Sequence, residues 1–423
     1  MKFTDAQEVI SFLYSLPHLH PKNNLSFIKR ILVKLGNPQD QVKTVHITGT
    51  NGKGSTSYYL ATLLKKAGQK TGLFVSPYVY RFNERIQLNN KDISDQDLVK
   101  AANKVQAAYE KIQKEDNEFS LVTFEYEVAI AFVYFADQKC DYAVIEVGIG
   151  GEHDKTNVIT PEASIITTVG LDHEQIISPT IQDITREKSG VIKHNRPVVL
   201  GNVPQEVVPI LKRKAQKEQA PLYQLGQDFK VDVQEQILYT DTKHKLTFKL
   251  RPQVEVFDIA IAVKTFYLLK LSLTDRKIEQ TIDQIVIPGR YQVLQDKPLI
   301  VLDGAHNIQA MTNLLKTIHQ LAEKKHGRVH ALVTMMKDKD LEQVFALFKP
   351  EDEVLLTTLD YPRVAKQNDF PIDVQRRYNY ERDYQVGFTN LENKIADNDI
   401  LLVTGSFYLV SAILNWKGKQ NAR

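Results

Sequence analysis

The chain has 423 residues, 43% hydrophobic and 25% charged, the balance of an ordinary globular protein with two or three domains. Disordered, collagen-like and membrane-embedded classes are thereby excluded. With 54 Lys and Arg against 51 Asp and Glu the net charge is only +3, which gives no reason to expect a nucleic acid or an anionic membrane as partner.

The first twenty residues carry Asp5 and Glu8 where a secretory signal would be basic and then apolar. Phe3, Val9, Ile10, Phe12, Leu13 and Leu16 recur at roughly helical spacing and predict an amphipathic helix instead. Next come a strand at 44–48, a helix at 55–67 and strands at 72–76, 142–148, 164–169 and 197–200. Helical patterns cover 95–113, 123–138, 181–189 and 206–219. Leu121 to Ala136 is the most apolar stretch, but it contains Glu125 and Glu127 and is too short and too charged to span a bilayer. The single cysteine, Cys140, can make neither an internal disulfide nor a Cys-rich zinc site. A cytoplasmic protein is expected.

Residues 229–250 break the strand–helix rhythm and predict a small antiparallel hairpin around Asp241-Thr242-Lys243. Helices follow at 256–271 and 275–285. Residues 287–298, with Pro and Gly and no helical period, read as an inter-domain linker. The alternation then restarts, with strands at 299–302, 329–334, 354–358 and 400–404 and helices at 309–325, 341–348 and 407–416. The expected architecture is α/β throughout. A P-loop-type, mostly parallel sheet domain over 1–286 carries the hairpin, and a second, smaller Rossmann-like domain spans 299–423.

The strongest local signal is Thr48-Gly49-Thr50-Asn51-Gly52-Lys53-Gly54-Ser55, between a strand and a helix. Glycines let the backbone aim several N–H groups at one anion, the helix start adds a positive partial charge, Lys53 adds a full one, and Ser55 can ligate Mg²⁺. Gly54 stands between Lys53 and Ser55, so this is a variant of the strict P-loop pattern.

This variant loop resembles that of the Mur ligase superfamily, and more closely its folylpolyglutamate synthase and dihydrofolate synthase branch. Further matches follow in the family's order: Ser76-Pro77-Tyr78, residues 82–86 (FNERI), 146–151 (EVGIGG), Asp154 with Thr156-Asn157-Val158, Leu171-Asp172-His173 and 187–193 (EKSGVIK). Beyond the linker are 303–307 (DGAHN), Asp338-Lys339-Asp340 and Thr404-Gly405-Ser406. The resemblance implies ATP-dependent addition of L-glutamate to the glutamyl carboxylate of a reduced folate through an acyl phosphate. It implies two magnesium sites and a monomeric enzyme acting on small molecules only.

Residue by residue, the resemblance gives Thr50 to Ser55 to the phosphates of ATP and Ser55, Ser76, Glu146 and His173 to magnesium. His173 is a catalytic group as well as a ligand, on resemblance alone, because Mg²⁺ prefers oxygen. Glu146 lies in a buried strand, where a carboxylate must be paired or metal-bound. Lys188 matches a lysine that the family carbamylates into a ligand for the second magnesium; taken alone it is one more helix lysine. Asn83, Glu84 and Arg85 frame the folate entrance. Thr123, Phe124 and Glu125, with Asp154, lie near the pterin pocket; Glu125 equally suits a helix cap. Asp303 and His306, Arg290 in the linker, and Asp258 match nucleotide contacts.

Departures from the family pattern lie at the nucleoside end: Asp258 for Asn, Gln292 for Glu, and Ile308 for Pro. Asp258 also reads as a cap for a helix starting nearby. Alternatives are a dihydrofolate synthase, an enzyme with both activities, or a paralogue that binds nucleotide or folate without ligating.

Overall fold

In the computed structural model, which describes residues 2–17, 20, 24–172 and 177–421, the chain divides into two units. One comprises Met1–Arg251 with Glu255–Ile285, the other Pro252–Val254 with Val286–Arg423.

In the first unit, strands β1 (Lys43–Thr48), β2 (Thr71–Phe74), β3 (Ile86–Leu88), β4 (Lys91–Asp92), β5 (Tyr142–Glu146), β6 (Ala163–Thr168), β7 (Val198–Asn202) and β8 (Leu222–Gln224) form one sheet. Its order is β4-β3-β2-β5-β1-β6-β7-β8. The pairs β2–β5, β5–β1, β1–β6, β6–β7 and β7–β8 are parallel. At one edge β3 and β4 turn back antiparallel. Val45, Ile47, Ala143, Val144, Ile165 and Ile166 are fully buried, as continuous apolar strands covered on both faces must be.

The helix Thr123–Asp137 buries nearly every side chain because its sequence is apolar all round. The helices Ala6–Ser15, Ser26–Lys34 and Asp95–Glu115 pack on it. Residues 229–250 make three antiparallel strands, β9 (Phe229–Val233), β10 (Ile237–Asp241) and β11 (Lys245–Phe248): β10 and β11 are the expected hairpin around Asp241-Thr242-Lys243, and β9 adds a third strand. The turn after β10 forms because Asp241 Oδ1 accepts the N–H groups of Lys243 and His244, each at 2.9 Å.

The second unit is a six-stranded sheet of β12 (Gln292–Asp296), β13 (Leu299–Leu302), β14 (Val329–Val333), β15 (Glu353–Thr357), β16 (Asn379–Glu381) and β17 (Ile400–Thr404). The order is β12-β13-β17-β14-β15-β16, and β12 alone runs antiparallel to its neighbour. Within the expected linker, β12 is thus a polar edge strand. Val301, Ala331 and Leu402 pack with Met311, Leu315 and Phe345 in the core. No helix among the described residues is long and apolar enough to cross a membrane.

Candidate active site

The central strand β1 runs straight into the glycine loop, and the helix Lys53–Lys66 starts inside it. This places the loop at the carboxyl edge of a parallel sheet, where α/β folds bind ligands. Gly52 caps the helix at φ +83°, and a Cβ there would lie 2.2 Å from Asp258 Oδ1. Both the left-handed backbone and the close carboxylate require glycine. Lys53 Nζ donates to its own loop, to Gly49 O at 2.9 Å and Thr50 O at 3.4 Å.

The loop is fastened sideways to the end of β6. Thr50 N donates to Thr168 O at 3.0 Å, and Thr50 Oγ1 both donates to Gly170 O and accepts from Gly170 N. Asn51 N donates to Thr168 Oγ1 at 2.9 Å, while Thr167 Oγ1 donates to Asn51 O at 2.5 Å. Sequence reasoning passed over Thr167 and Thr168. Their only signal is a pair of hydroxyls closing an apolar strand.

Glu146, at the end of β5 and 4% exposed, brings two more expected residues to this point. Its Oε2 accepts Ser76 N–H at 2.9 Å, and both carboxylate oxygens lie 3.6 Å from where a Cβ on Gly54 would sit. Ser55, in the first turn of the helix, is buried alongside. A carboxylate and two serine hydroxyls are hard oxygen donors of the kind Mg²⁺ takes. His173 lies outside the described residues. Among the described residues no cluster of three or more His, Cys, Asp or Glu is arranged to hold a metal, so substrate oxygens or water would have to complete the coordination.

A second cluster surrounds Lys188, on the helix Ile181–Ser189 and 5% exposed. Burial, and then the charge of Lys53, lower its pKa from 10.5 to about 7. The loop 148–157 presses on this helix: a Cβ on Gly151 would lie 2.7 Å from Glu187 O and 2.9 Å from Lys188 Cα. Glu187 Oε1 accepts the N–H of Gly151 and of His153. Asp154 accepts from Ile149 N, Thr156 N and Thr156 Oγ1. Burial raises the Asp154 pKa, opposed by those donors. Phe124 packs its ring where a Cβ on Gly148 would stand, 2.8 Å away, with Asp154 Oδ2 at 3.2 Å. Phe124 and Asp154 are therefore neighbours.

The remaining acceptor-side residues divide. Glu84 accepts three backbone N–H groups, from Val79, Tyr80 and Arg81, at 2.6–2.8 Å, and so shapes the 76–85 loop from inside. Burial nevertheless raises its pKa. Asn83 donates to Ile93 O and Asp95. Arg85 spreads over the rings of Tyr78 and Phe82, with Glu127 at 3.6 Å. Thr123 donates to Leu13 O at 3.0 Å. Glu125, fully buried, accepts Val122 N–H and meets His20 at 2.7 Å and Lys155 at 3.4 Å. The carboxylate expected near a pterin is thus engaged with the protein itself, whereas Phe124 beside it faces the Gly148 turn.

In the second unit Asp303 follows β13 and accepts Tyr291 N–H and Ala305 N–H, both at 2.8 Å. Burial raises its pKa and nearby Arg290 lowers it. Arg290 lies 4.3 Å above the Phe407 ring. His306 Nδ1 donates to Gly304 O at 2.8 Å, and its ring meets Phe407 edge-on. These residues form one cluster at the carboxyl ends of β13 and β17. Gln292, a departure from the family, accepts Gly289 N–H at 2.9 Å. Ile308 is the first residue of the helix capped by Asn307, the position where Pro is favoured because its N–H needs no partner.

Asp258 corrects an expectation. The helix begins at Gln253, so Asp258 stands inside it, buried, and does not cap it. Its carboxylate instead meets the glycine loop at Gly52.

Two family descriptions match the chain: the Mur ligase middle domain over residues 47–266 and the Mur ligase, glutamate ligase domain over 289–407. The folylpolyglutamate synthase of Lacticaseibacillus casei is 32% identical over 423 residues, spanning 96% of this chain and 97% of its own length. A solved FPGS–AMPPCP–folate complex is similar with TM-score 0.85 at 30% identity, covering 98% of this chain and all of that one (100%). The bifunctional folylpolyglutamate synthase/dihydrofolate synthase of Yersinia pestis, solved with AMPPNP and a Mn ion, gives TM-score 0.87 at 26% identity over 98% of each chain.

Proposed function

The chain belongs to the folylpolyglutamate and dihydrofolate synthase family of the Mur ligases, and we propose that it carries out ATP-dependent addition of L-glutamate to folates with the residues gathered above. It is a ligase whose nucleotide is ATP. Its acceptor is a reduced folate: the folate's glutamyl carboxylate attacks the γ-phosphorus and releases ADP. The amine of L-glutamate then displaces phosphate from the acyl phosphate, forming the amide. Each step brings anionic oxygens together, so the site must supply positive charge and fixed dipoles more than a nucleophile.

The observation that carries this reading is Glu146, buried within reach of both Ser76 and the start of the phosphate-loop helix. Ser55, Ser76, Glu146 and His173 would hold magnesium. When bound, it neutralises phosphoryl oxygens. Thr50, Asn51, Gly52, Lys53, Gly54 and Ser55 bind and orient the triphosphate, and the β6 hydroxyls keep their backbone in place. Asp258, Arg290, Asp303 and His306 serve the nucleotide. Asn83, Glu84, Arg85, Thr123, Phe124, Glu125 and Asp154 serve the folate, Phe124 by contact and Glu84 and Glu125 by shaping their loops. Lys188, whose burial lowers its pKa to about 7 so that much of its amine is uncharged at neutral pH, is suited to carbamylation and so to a second magnesium. The protein works as a cytoplasmic monomer.

The test supplies purified protein with MgATP, L-glutamate and either tetrahydrofolate or dihydropteroate, and follows ADP and glutamylated product. Product from tetrahydrofolate is expected. Product from dihydropteroate alone would make the chain a dihydrofolate synthase, and no ADP with either acceptor would refute the ligase reading.

A further inference from the structure

We propose that His46 is a positioning residue of this site: through Thr156 it fixes Asp154, and with Thr48 it ties the strand that feeds the phosphate loop to the loop lying against Lys188. The kinetic part of the proposal rests on the ligase reading above.

His46 sits in β1 between Ile145 of β5 and Ser164 of β6, fully buried. Its Nε2 lies 2.8 Å from Thr156 Oγ1. Thr156 Oγ1 has one hydrogen, which it donates to Asp154 Oδ1 at 2.5 Å. The threonine oxygen must therefore accept from Nε2–H, which sets the imidazole as the neutral Nε2–H tautomer. Burial, helped by the charge of Lys193, lowers the His46 pKa to about 3, in keeping with a neutral ring. Nδ1 is buried without a hydrogen-bond partner among the described residues.

A valine or leucine would fill a central strand without leaving a polar atom unsatisfied, so packing alone does not account for the imidazole. What it gains is a chain of donors. His46 orients Thr156, Thr156 donates to Asp154, and Asp154 accepts Ile149 N–H at 2.9 Å. Two residues along the same face of β1, Thr48 Oγ1 donates to Gly150 O. The loop 148–157 that these anchors hold packs against the Lys188 backbone at Gly151 and against Phe124 at Gly148. The strand that ends in the phosphate loop therefore also sets the acceptor-side loop. Because the phosphate loop is separately held by Thr167 and Thr168, losing the His46 link should act on the acceptor side.

Three variants test this: His46→Leu, which removes the donor; Thr156→Val, which removes the relay with little change of shape; and His46→Gln, whose Nε2 can stand where the imidazole Nε2 stands. His46→Leu and Thr156→Val should lose about tenfold in kcat/KM for the folate, with the KM for ATP within about twofold of wild type, and His46→Gln should recover most of the loss. In parallel, ¹⁵N spectra of histidine-labelled protein should show one ring in the neutral Nε2–H form from pH 5 to 8, absent from His46→Gln. Wild-type folate kinetics in Thr156→Val, or a His46→Gln as impaired as a folded His46→Leu, would overturn the proposal; so would an Nδ1–H or a protonated ring. If His46→Leu does not fold, Thr156→Val alone decides the kinetics. If wild type glutamylates no folate, the ligase reading falls and the tautomer decides whether the His46–Thr156–Asp154 chain exists.

Discussion

Lys188 offers the sharpest quantitative test, because burial and Lys53 hold its pKa at about 7 against an ordinary 10.5. In metal-free, CO₂-free buffer the folded state binds this proton less readily than the unfolded state, so folding is penalised wherever the unfolded lysine is charged. Between the two pKa values the unfolded chain holds one proton more, and stability rises with pH. The penalty is largest below pH 7, on the order of 5 kcal/mol, and vanishes above pH 10.5. From pH 7 to pH 9 the lysine alone should add about 2 kcal/mol, or roughly 3–4 °C in Tm for a unit of this size. Lys188→Met keeps an unbranched side chain out to the ε-carbon, removes the amine and should abolish ligation. At pH 7 the variant should be the more stable protein, and the wild type should close the gap by about that amount by pH 9. Thermal unfolding followed by circular dichroism at both pH values measures this. Parallel pH curves, or a variant less stable than wild type at pH 7, would refute the argument that a poorly solvated amine is held there for function.

Lys53→Ala and Glu146→Gln should each retain cooperative unfolding and lose at least about tenfold in turnover, which is about 1.4 kcal/mol of barrier, as an ADP-release assay will show; near-wild-type rates would remove either residue from the site. Asp258→Asn takes a buried carboxylate away from the glycine loop beside Gly52. It should tighten ATP about tenfold and leave folate affinity unchanged in an isothermal titration, and weaker ATP binding would show that the carboxylate supports the loop.

The glycine loop was legible in the sequence because everything that makes it is local: a strand, glycines, a lysine and a helix start within a dozen residues. The parallel sheet followed from buried runs such as 142–146 and 163–168. What escaped was short or long-range. β3 and β4 have three and two residues, too few for an alternation to register. The helix Ser26–Lys34 carries three basic side chains among its apolar ones and was passed over. β12 is polar because it is an edge strand with one neighbour, so it read as a linker. At the site, Glu146 declared itself as a carboxylate inside an apolar strand. The partners of Glu125 did not, since His20 and Lys155 come from 105 and 30 residues away. Asp258 shows the same limit: only the tertiary fold places it at Gly52 rather than at a helix start.

The turn between β9 and β10 has a practical use. Gln234 to Gln236 are exposed, and Val233 before them is half exposed. Their strands belong to a three-stranded sheet separate from the eight-stranded sheet that carries the glycine loop. Added chain at an exposed loop tip costs little, so an affinity handle or a fluorescent label inserted after Glu235 would leave the Asp241 turn and its Lys264 ion pair untouched. That makes this tip a convenient point from which to tether the enzyme to a surface.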